Sequence, residues 1–199
     1  MSMNWILSRI ARQFGIDINS LLFHFIYREM ARELEKEVGP EKVSEIMFKI
    51  GGEASLDSAK RHPTIFKFVT PGTGDEILKY IKMLWYTVFG TDMIYEVINK
   101  ENIEESDYLD LYIDNCPICQ GYYDDELDLS KEKMKELFGK KGYACLLIGM
   151  IESVGNFMLE MKELPYTMDI EEVECKALGS ERMRIRSTLI PKESSKDPE

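Results

Sequence analysis

Apolar residues recur at intervals of three and four along much of the first ninety positions, a spacing that places them on one face of a helix. The pattern predicts four helices, which run from Asn4 to Gln13, from Ser20 to Gly39, from Val43 to His62 and from Thr73 to Gly90. The last of these begins with the capping box Thr73-Gly-Asp-Glu76 and ends at a glycine. The first part of the chain is therefore expected to be helical.

Two strands are predicted after these helices. Met93 to Ile98 is rich in β-branched and apolar residues, and from Tyr108 to Asp114 apolar and polar residues alternate with the period of a strand. We expect the two strands to pair as a hairpin across the acidic segment 101–107. Two helices follow, from Lys131 to Phe138 and from Tyr143 to Met161. The second is apolar around most of its circumference and is therefore expected at the centre of a domain.

A last hairpin is predicted around the turn Leu178-Gly179-Ser180, and its charges suggest a register. One alignment makes one face ionic and the other largely apolar. In that alignment Glu174 faces Arg184, Glu172 faces Arg186, Val173 faces Ile185 and Cys175 faces Met183. Cys175 then lies on the inward face, and a shift of one residue would break every pair.

The order of these elements predicts an α+β fold, because split hairpins with intervening helices form one antiparallel sheet with the helices gathered on a face. We expect a twisted four-stranded antiparallel sheet, made of two hairpins and packed against a helical layer. Residues 1–18 are interpreted as an N-terminal helical extension, 19–190 as a single ligand-binding domain and 191–199 as a disordered tail.

Composition narrows the function classes. The 199 residues can bury one core, and 36 acidic against 25 basic residues give a net charge of −11, which argues against nucleic acid or an anionic membrane surface as partner. No apolar run is long enough to span a membrane, and the first residues do not have the pattern of a signal peptide. A cytoplasmic location is therefore expected. In a reducing compartment its four cysteines would be reduced or metal-bound.

The cysteines predict a zinc site. Cys116-Pro-Ile-Cys119 is a turn on which two thiolates can converge on one ion, and Cys145 and Cys175 complete the four ligands of a tetrahedral Zn²⁺ site. The second pair is split, so alternatives stay open. Cys145 lies in an apolar helix, where a cysteine is usually a packing residue, and His24 is then the alternative fourth ligand.

Other roles are open to these residues. The turn can hold two buried free thiols, and a redox role is disfavoured because Cys116 follows a strand rather than opening a helix. Glu152 and Glu174 can replace a thiolate as ligand, although solvated or salt-bridged roles are favoured for both. The two histidines and scattered carboxylates form no recognisable catalytic set, which disfavours an enzyme.

Two segments carry a family resemblance. Glu174-Cys-Lys-Ala-Leu-Gly-Ser-Glu-Arg-Met183 resembles the closing hairpin of the 4-vinyl-reductase domain family, in which Glu-Cys-x-x-x-Gly-x-x-x-Cys is typical. Tyr143-Ala-Cys-Leu-Leu-Ile-Gly149 is similar to that family's central helix. The family is related in fold to the subunits of the TRAPP transport particle. This chain departs from the pattern at Met183, where the family often has a cysteine, so the pair Cys116 and Cys119 would have to supply the missing ligand.

The resemblance implies a hydrophobic or hydrocarbon-binding cavity, frequent homodimers and a zinc site near the cavity. Similar domains bind an aromatic effector in phenol-sensing regulators and have a proposed tetrapyrrole role in bacteriochlorophyll biosynthesis. Candidate ligand-binding residues are apolar and lie on the two most apolar helices: Trp85, Phe89, Leu147, Met150, Ile151, Val154, Phe157 and Met158.

The resulting hypothesis is a zinc-containing domain that binds a hydrophobic, aromatic or tetrapyrrole-like small molecule as a sensor, carrier or accessory protein. A reductase acting on a vinyl-bearing tetrapyrrole is one alternative, although no nucleotide-binding fingerprint is present. A structural assembly subunit is another.

Overall fold

The structure is a computed structural model, and it describes residues 25–61, 72–99, 101, 104, 107–120 and 131–192. Its helices are α1 (25–38), α2 (Pro40–Arg61), α3 (Gly74–Phe89), α4 (Pro117–Gln120), α5 (Lys131–Phe138) and α6 (Cys145–Met161). Its strands are β1 (Tyr95–Val97), β2 (Tyr108–Ile113), β3 (Tyr166–Glu174) and β4 (Met183–Pro191). The predicted helix 4–13, His24, His62 and the tail from residue 193 onward lie outside the described residues.

The predicted α+β fold is confirmed. The four strands form one antiparallel sheet in the order β1-β2-β4-β3, so the two predicted hairpins join through β2 and β4. The pairing of these central strands runs from Tyr108 opposite Thr188 to Ile113 opposite Met183. Among the described helices, none is long and apolar enough to cross a membrane.

Local signals place the boundaries of α3 and α2. Thr73 Oγ1 accepts a hydrogen bond from the backbone N–H of Glu76, as the capping box predicts, and Gly90 ends the helix in the left-handed conformation. Helix α2 begins earlier than predicted, at Pro40, because proline suits the first helical position and Gly39 before it adopts a φ of +84°. The segment 117–120 forms a single helical turn.

The predicted register of the last hairpin is partly wrong. Glu174 does pair with Arg184, but a β-bulge between Glu172 and Glu174 places Glu171, and not Glu172, opposite Arg186. Val173 is the residue left out of the ladder and is 41% exposed, so its predicted pairing with Ile185 is also wrong. The bulge moves Glu172 opposite Ile185, which is a core residue, and its carboxylate therefore faces the interior.

The helices pack on one face of the sheet around α6, as its apolar circumference predicts. Alternate residues of β2 and β4, such as Leu109, Leu111 and Ile185, are fully buried against them. Helices α2 and α6 cross with their backbones nearly touching, since an added Cβ at Gly51 would lie 2.1 Å from the carbonyl oxygen of Leu146. Only glycine permits this approach.

The outer edge of β3 is occupied by side chains of α6. Asn156 donates to the carbonyl oxygen of Met168 and accepts from its N–H, and Glu152 accepts from the N–H of Ile170. These bonds satisfy backbone groups that an edge strand otherwise presents to other chains. Glu152 therefore has a structural role at this edge.

Candidate metal centre

Two buried thiols and a partly buried carboxylate converge beyond the end of the sheet. The sulfur atoms of Cys119 and Cys175 and a carboxylate oxygen of Glu172 all lie within 4.8 Å of one another. Sulfur ligands of a tetrahedral zinc ion lie roughly 3.8 Å apart, because each Zn–S bond is about 2.3 Å. The spacing and the donor types therefore fit a zinc ion after shifts of about an ångström or less.

Sheet pairing brings these groups together from distant parts of the chain. Ile113, at the end of β2, lies opposite Met183 at the start of β4, and Glu174 at the end of β3 lies opposite Arg184. The segment after β2 and the segment after β3 consequently leave the sheet side by side. The first carries Cys119 on the α4 turn, and the second carries Cys175.

Glu172 is held by the start of α6. Its Oε2 accepts a hydrogen bond of 2.7 Å from the N–H of Ala144, while its Oε1 is buried without a hydrogen-bond donor among the described residues. A Cβ at Gly142 would lie 2.1 Å from that Oε2, so the carboxylate fits only because residue 142 is glycine. Burial, and then the negative charge of Cys175, raise the pKa of Glu172 well above its ordinary range.

The two thiols influence each other's ionisation. A hydrogen bond from Cys119 to Cys175, which outweighs the cost of burial, lowers the pKa of Cys175 to about 6. The pKa of Cys119 is raised well above its usual value, first by its hydrogen bond with Cys116, then by that with Cys175, and then by burial. Burial and the groups' own proximity thus oppose full ionisation of the two thiols and the carboxyl together. A cation at this point would stabilise all three as anions.

The structure brings some predicted ligands to this group and leaves others outside it. Cys116 is buried next to Cys119 and raises its pKa, but its sulfur is not part of the three-atom group. The sulfur of Cys145 lies 3.1 Å from the hydroxyl of Tyr27, and burial raises its pKa to about 12. Cys145 therefore sits as a protonated packing residue at the start of α6. Glu174 instead forms an ion pair of 3.1 Å with Arg184.

Sequence reasoning missed Glu172 because it assigned this acid to Arg186. The segment from Glu171 to Glu174 contains three acids, and pairing Glu171 with Arg186 satisfies the charge pattern equally well. Only the bulge frees Glu172 for the interior. A signal was present in Glu172 lying three residues before Cys175, a spacing at which a bulge can direct both side chains to one side.

The predicted ligand-binding residues lie in the core between the helices and the sheet. Trp85, Leu147, Ile151, Val154 and Met158 are buried there, Phe89 and Phe157 pack against them, and Met150 is half-buried. The ring of Trp85 meets that of Phe89 edge-on at 4.9 Å, and the indole N–H of Trp85 is buried without a hydrogen-bond acceptor among the described residues. A ligand cavity at these residues remains a prediction.

Comparisons with known proteins support the fold. No family model and no curated protein matches the chain. A solved trafficking protein particle complex subunit 3 from Naegleria fowleri, covalently bound to palmitic acid, is similar with a TM-score of 0.61 at 17% identity, over 88% of this chain and 97% of that one. The phenol-responsive sensory domain of the transcription activator PoxR, with phenol, has a TM-score of 0.50 at 12% identity, over 85% of this chain and 74% of that one. The chain thus has a TRAPP-related fold.

Proposed function

We propose that residues 19–190 form a zinc-containing domain of the 4-vinyl-reductase type that binds a hydrophobic small molecule as a sensor, carrier or accessory protein. The observation that carries the zinc half of this proposal is the group of Cys119, Glu172 and Cys175, in which both thiols and one carboxylate oxygen are buried and that oxygen lacks a donor among the described residues. Buried charge of this kind is stable when it coordinates a metal.

Cys119, Cys175 and Glu172 would hold the ion, with Cys116 as the nearest further thiol. The ion would supply a structural cross-link between α4, the end of β3 and, through the bond from Glu172 to Ala144, the start of α6. Cys116 supplies the ligand that Met183 does not. His24 remains the alternative fourth ligand, whereas the contact of Cys145 with Tyr27 assigns that thiol to packing at the start of α6.

Support for the small-molecule half comes from the two structural neighbours. The TRAPP subunit is covalently bound to palmitic acid and the PoxR domain is in complex with phenol, and both of these molecules are largely apolar. In this chain the proposed site is the core around Trp85 and α6, where methionines such as Met150 and Met158 can adapt to an inserted molecule. The indole N–H of Trp85 is a buried polar group that a ligand acceptor could engage.

Metal analysis tests the zinc proposal. We expect about one zinc per purified chain, and loss of most of it in Cys175→Ser and Glu172→Gln. Cys145→Ser is the matched control, because its sulfur contacts Tyr27 and lies outside the three-atom group. Less than about 0.3 zinc per wild-type chain with intact thiols would refute the site, since a folded structural site stays occupied.

Native mass spectrometry of the protein tests the ligand proposal. We expect a co-purifying apolar molecule, or uptake of phenol or palmitate with a change in tryptophan fluorescence that Trp85→Phe reduces. A protein that binds neither compound and carries no added mass would refute it. Removal of zinc by a chelator, followed by the same titration, separates the two halves of the proposal.

A structural assembly subunit is a second candidate. It is favoured by the similarity to the TRAPP subunit, which extends over 97% of that chain. A core filled by side chains, with no uptake of apolar compounds, would favour this candidate. We also propose a homodimer, which light scattering of the purified protein tests directly. A reductase activity has no specific observation in its favour.

A further inference from the structure

The sheet face opposite the helices keeps its contact with solvent. On this outer face, Arg184, Arg186 and Thr188 of β4 stay partly accessible, and the side chain of Arg186 is 42% exposed, whereas Asp110 of β2 is buried. Tyr108 is 38% and Ile98 is 42% exposed beside it. Together with Asp107, Asp110 and Thr188 these residues line a groove of about 500 Å³.

The arginines of the outer face are occupied by its own carboxylates. Arg184 and Arg186 both donate to the buried carboxylate of Asp110, at 2.7 Å and 2.8 Å, and Arg184 also pairs with Glu174. Arg182 is paired with Asp114 and Glu96. The charges of these three arginines are therefore neutralised, and the outer face is not expected to bind an anionic ligand.

Asp107 in the groove, and Asp169 and Glu171 on the neighbouring strand β3, form no such ion pair within the ranges that the structure covers. Asp169 lies directly opposite Thr188 and Glu171 opposite Arg186, while the carbonyl oxygen of Asp107 accepts from the N–H of Leu189. The uncompensated charge of the outer face is thus negative and concentrated at one end of it.

Spacing and composition point to the class of partner. Asp169 and Glu171 are two positions apart on β3, or about 7 Å, which equals the spacing of side chains on one side of an extended chain. The exposed side chain of Ile98 can pack against the aliphatic part of a lysine or arginine side chain, and the ring of the exposed Tyr108 can contact its charged group. We propose that the outer face is a docking surface for an extended basic segment of a partner protein, with lysine or arginine at alternate positions.

Fluorescence anisotropy with the full chain tests this proposal. The probe is a labelled octapeptide of alternating lysine and threonine, and the same peptide with glutamate in place of lysine should not bind. The triple variant Asp107→Asn/Asp169→Asn/Glu171→Gln should weaken binding at least about tenfold, since each exposed ion pair contributes a factor of a few. None of the three residues is in the buried core, so folding should be retained.

The control is a second triple variant with the same change in net charge. Glu37→Gln/Glu41→Gln/Glu160→Gln removes three exposed acids from α1, α2 and α6. We expect a change of less than about twofold for this control, because charges beyond a Debye length are largely screened. Equal weakening by both triple variants would show attraction to the net charge alone and would overturn the proposal. Absence of binding to the wild-type protein would overturn it as well.

Discussion

Replacing Gly149 by alanine tests the close crossing of α2 and α6, on which the helical layer depends. A Cβ at this position would lie 2.0 Å from the carbonyl oxygen of Phe48 in the facing helix, whereas real Cβ atoms essentially never come within 3.0 Å of a neighbour. The obstructing atom belongs to a backbone, so no side-chain rotation relieves the clash. The two helices would have to separate by about 1 Å at this point.

Two opposing contributions determine how much Gly149→Ala changes the free energy of unfolding. Alanine favours a helix interior over glycine by about 1 kcal/mol, which would stabilise the protein if the crossing were loose. Overpacking costs about 1–3 kcal/mol, and a gap approaching 1 Å forfeits up to half of the dispersion energy between facing atoms. The clash with a backbone places Gly149→Ala at the upper end of that range. The expected net loss is about 2 kcal/mol in the free energy of unfolding, or a fall in Tm of about 4–8 °C.

Urea unfolding followed by circular dichroism measures this loss as a lower midpoint at an unchanged m-value. Gly155→Ala in the same helix is the matched control. A Cβ there meets the thioether sulfur of Met168 at 2.7 Å, and that flexible side chain can move aside. We expect the control to stay within about 1 kcal/mol of the wild type. A Gly149→Ala protein as stable as the wild type would refute the crossing.

Three further predictions concern the metal centre, the sheet edge and the outer face. Gly142→Ala should displace the carboxylate of Glu172 and lower the content of the proposed zinc. Gly179→Ala is the control, because its φ is similarly positive but no atom lies near its Cβ, so it should lower stability by strain and keep the zinc content of the wild type. Equal zinc content in the two variants would contradict this prediction. Asn156→Ala should lower the free energy of unfolding by about 1–3 kcal/mol by leaving both backbone groups of Met168 without partners, and an unchanged midpoint in urea would argue against that role. The pKa of Asp110 is lowered in the folded state, first by its hydrogen bond from Arg184, so its stabilising effect should be present at neutral pH and be lost as the pH falls below about 4. The difference in unfolding free energy between wild type and Asp110→Asn should therefore shrink in acid, and a constant difference would refute the assignment.

Much of the fold was accessible from periodicity because its causes are local. The cap at Thr73, the stop at Gly90 and the apolar circumference of α6 each reflect interactions within a few residues along the chain. The pairing of each hairpin was predicted for the same reason, since its strands are neighbours in sequence. The pairing of β2 with β4, which joins the two hairpins, brings together residues 70 to 80 positions apart, and no local sequence pattern predicts it.

The register of β3 shows where local reasoning fails. Charge alone cannot choose between Glu171 and Glu172 as the partner of Arg186, because both are acids one position apart. The choice is made by the N–H of Ala144 and the space beside Gly142, which exist only when the start of α6 lies against the strand. A carboxylate turned inward finds a donor there, and the bulge follows.

The amino-acid order thus carries the α+β class, its helices and hairpins, and the indication that cysteines gather at one site. It does not say which of their sulfur atoms meet. Folding separates Cys119 and Cys175 from Cys145, and it adds Glu172 to the first pair. The physical reason is that a metal centre requires atoms within a few ångströms, and such distances between remote segments depend on how sheet pairing and helix packing are combined.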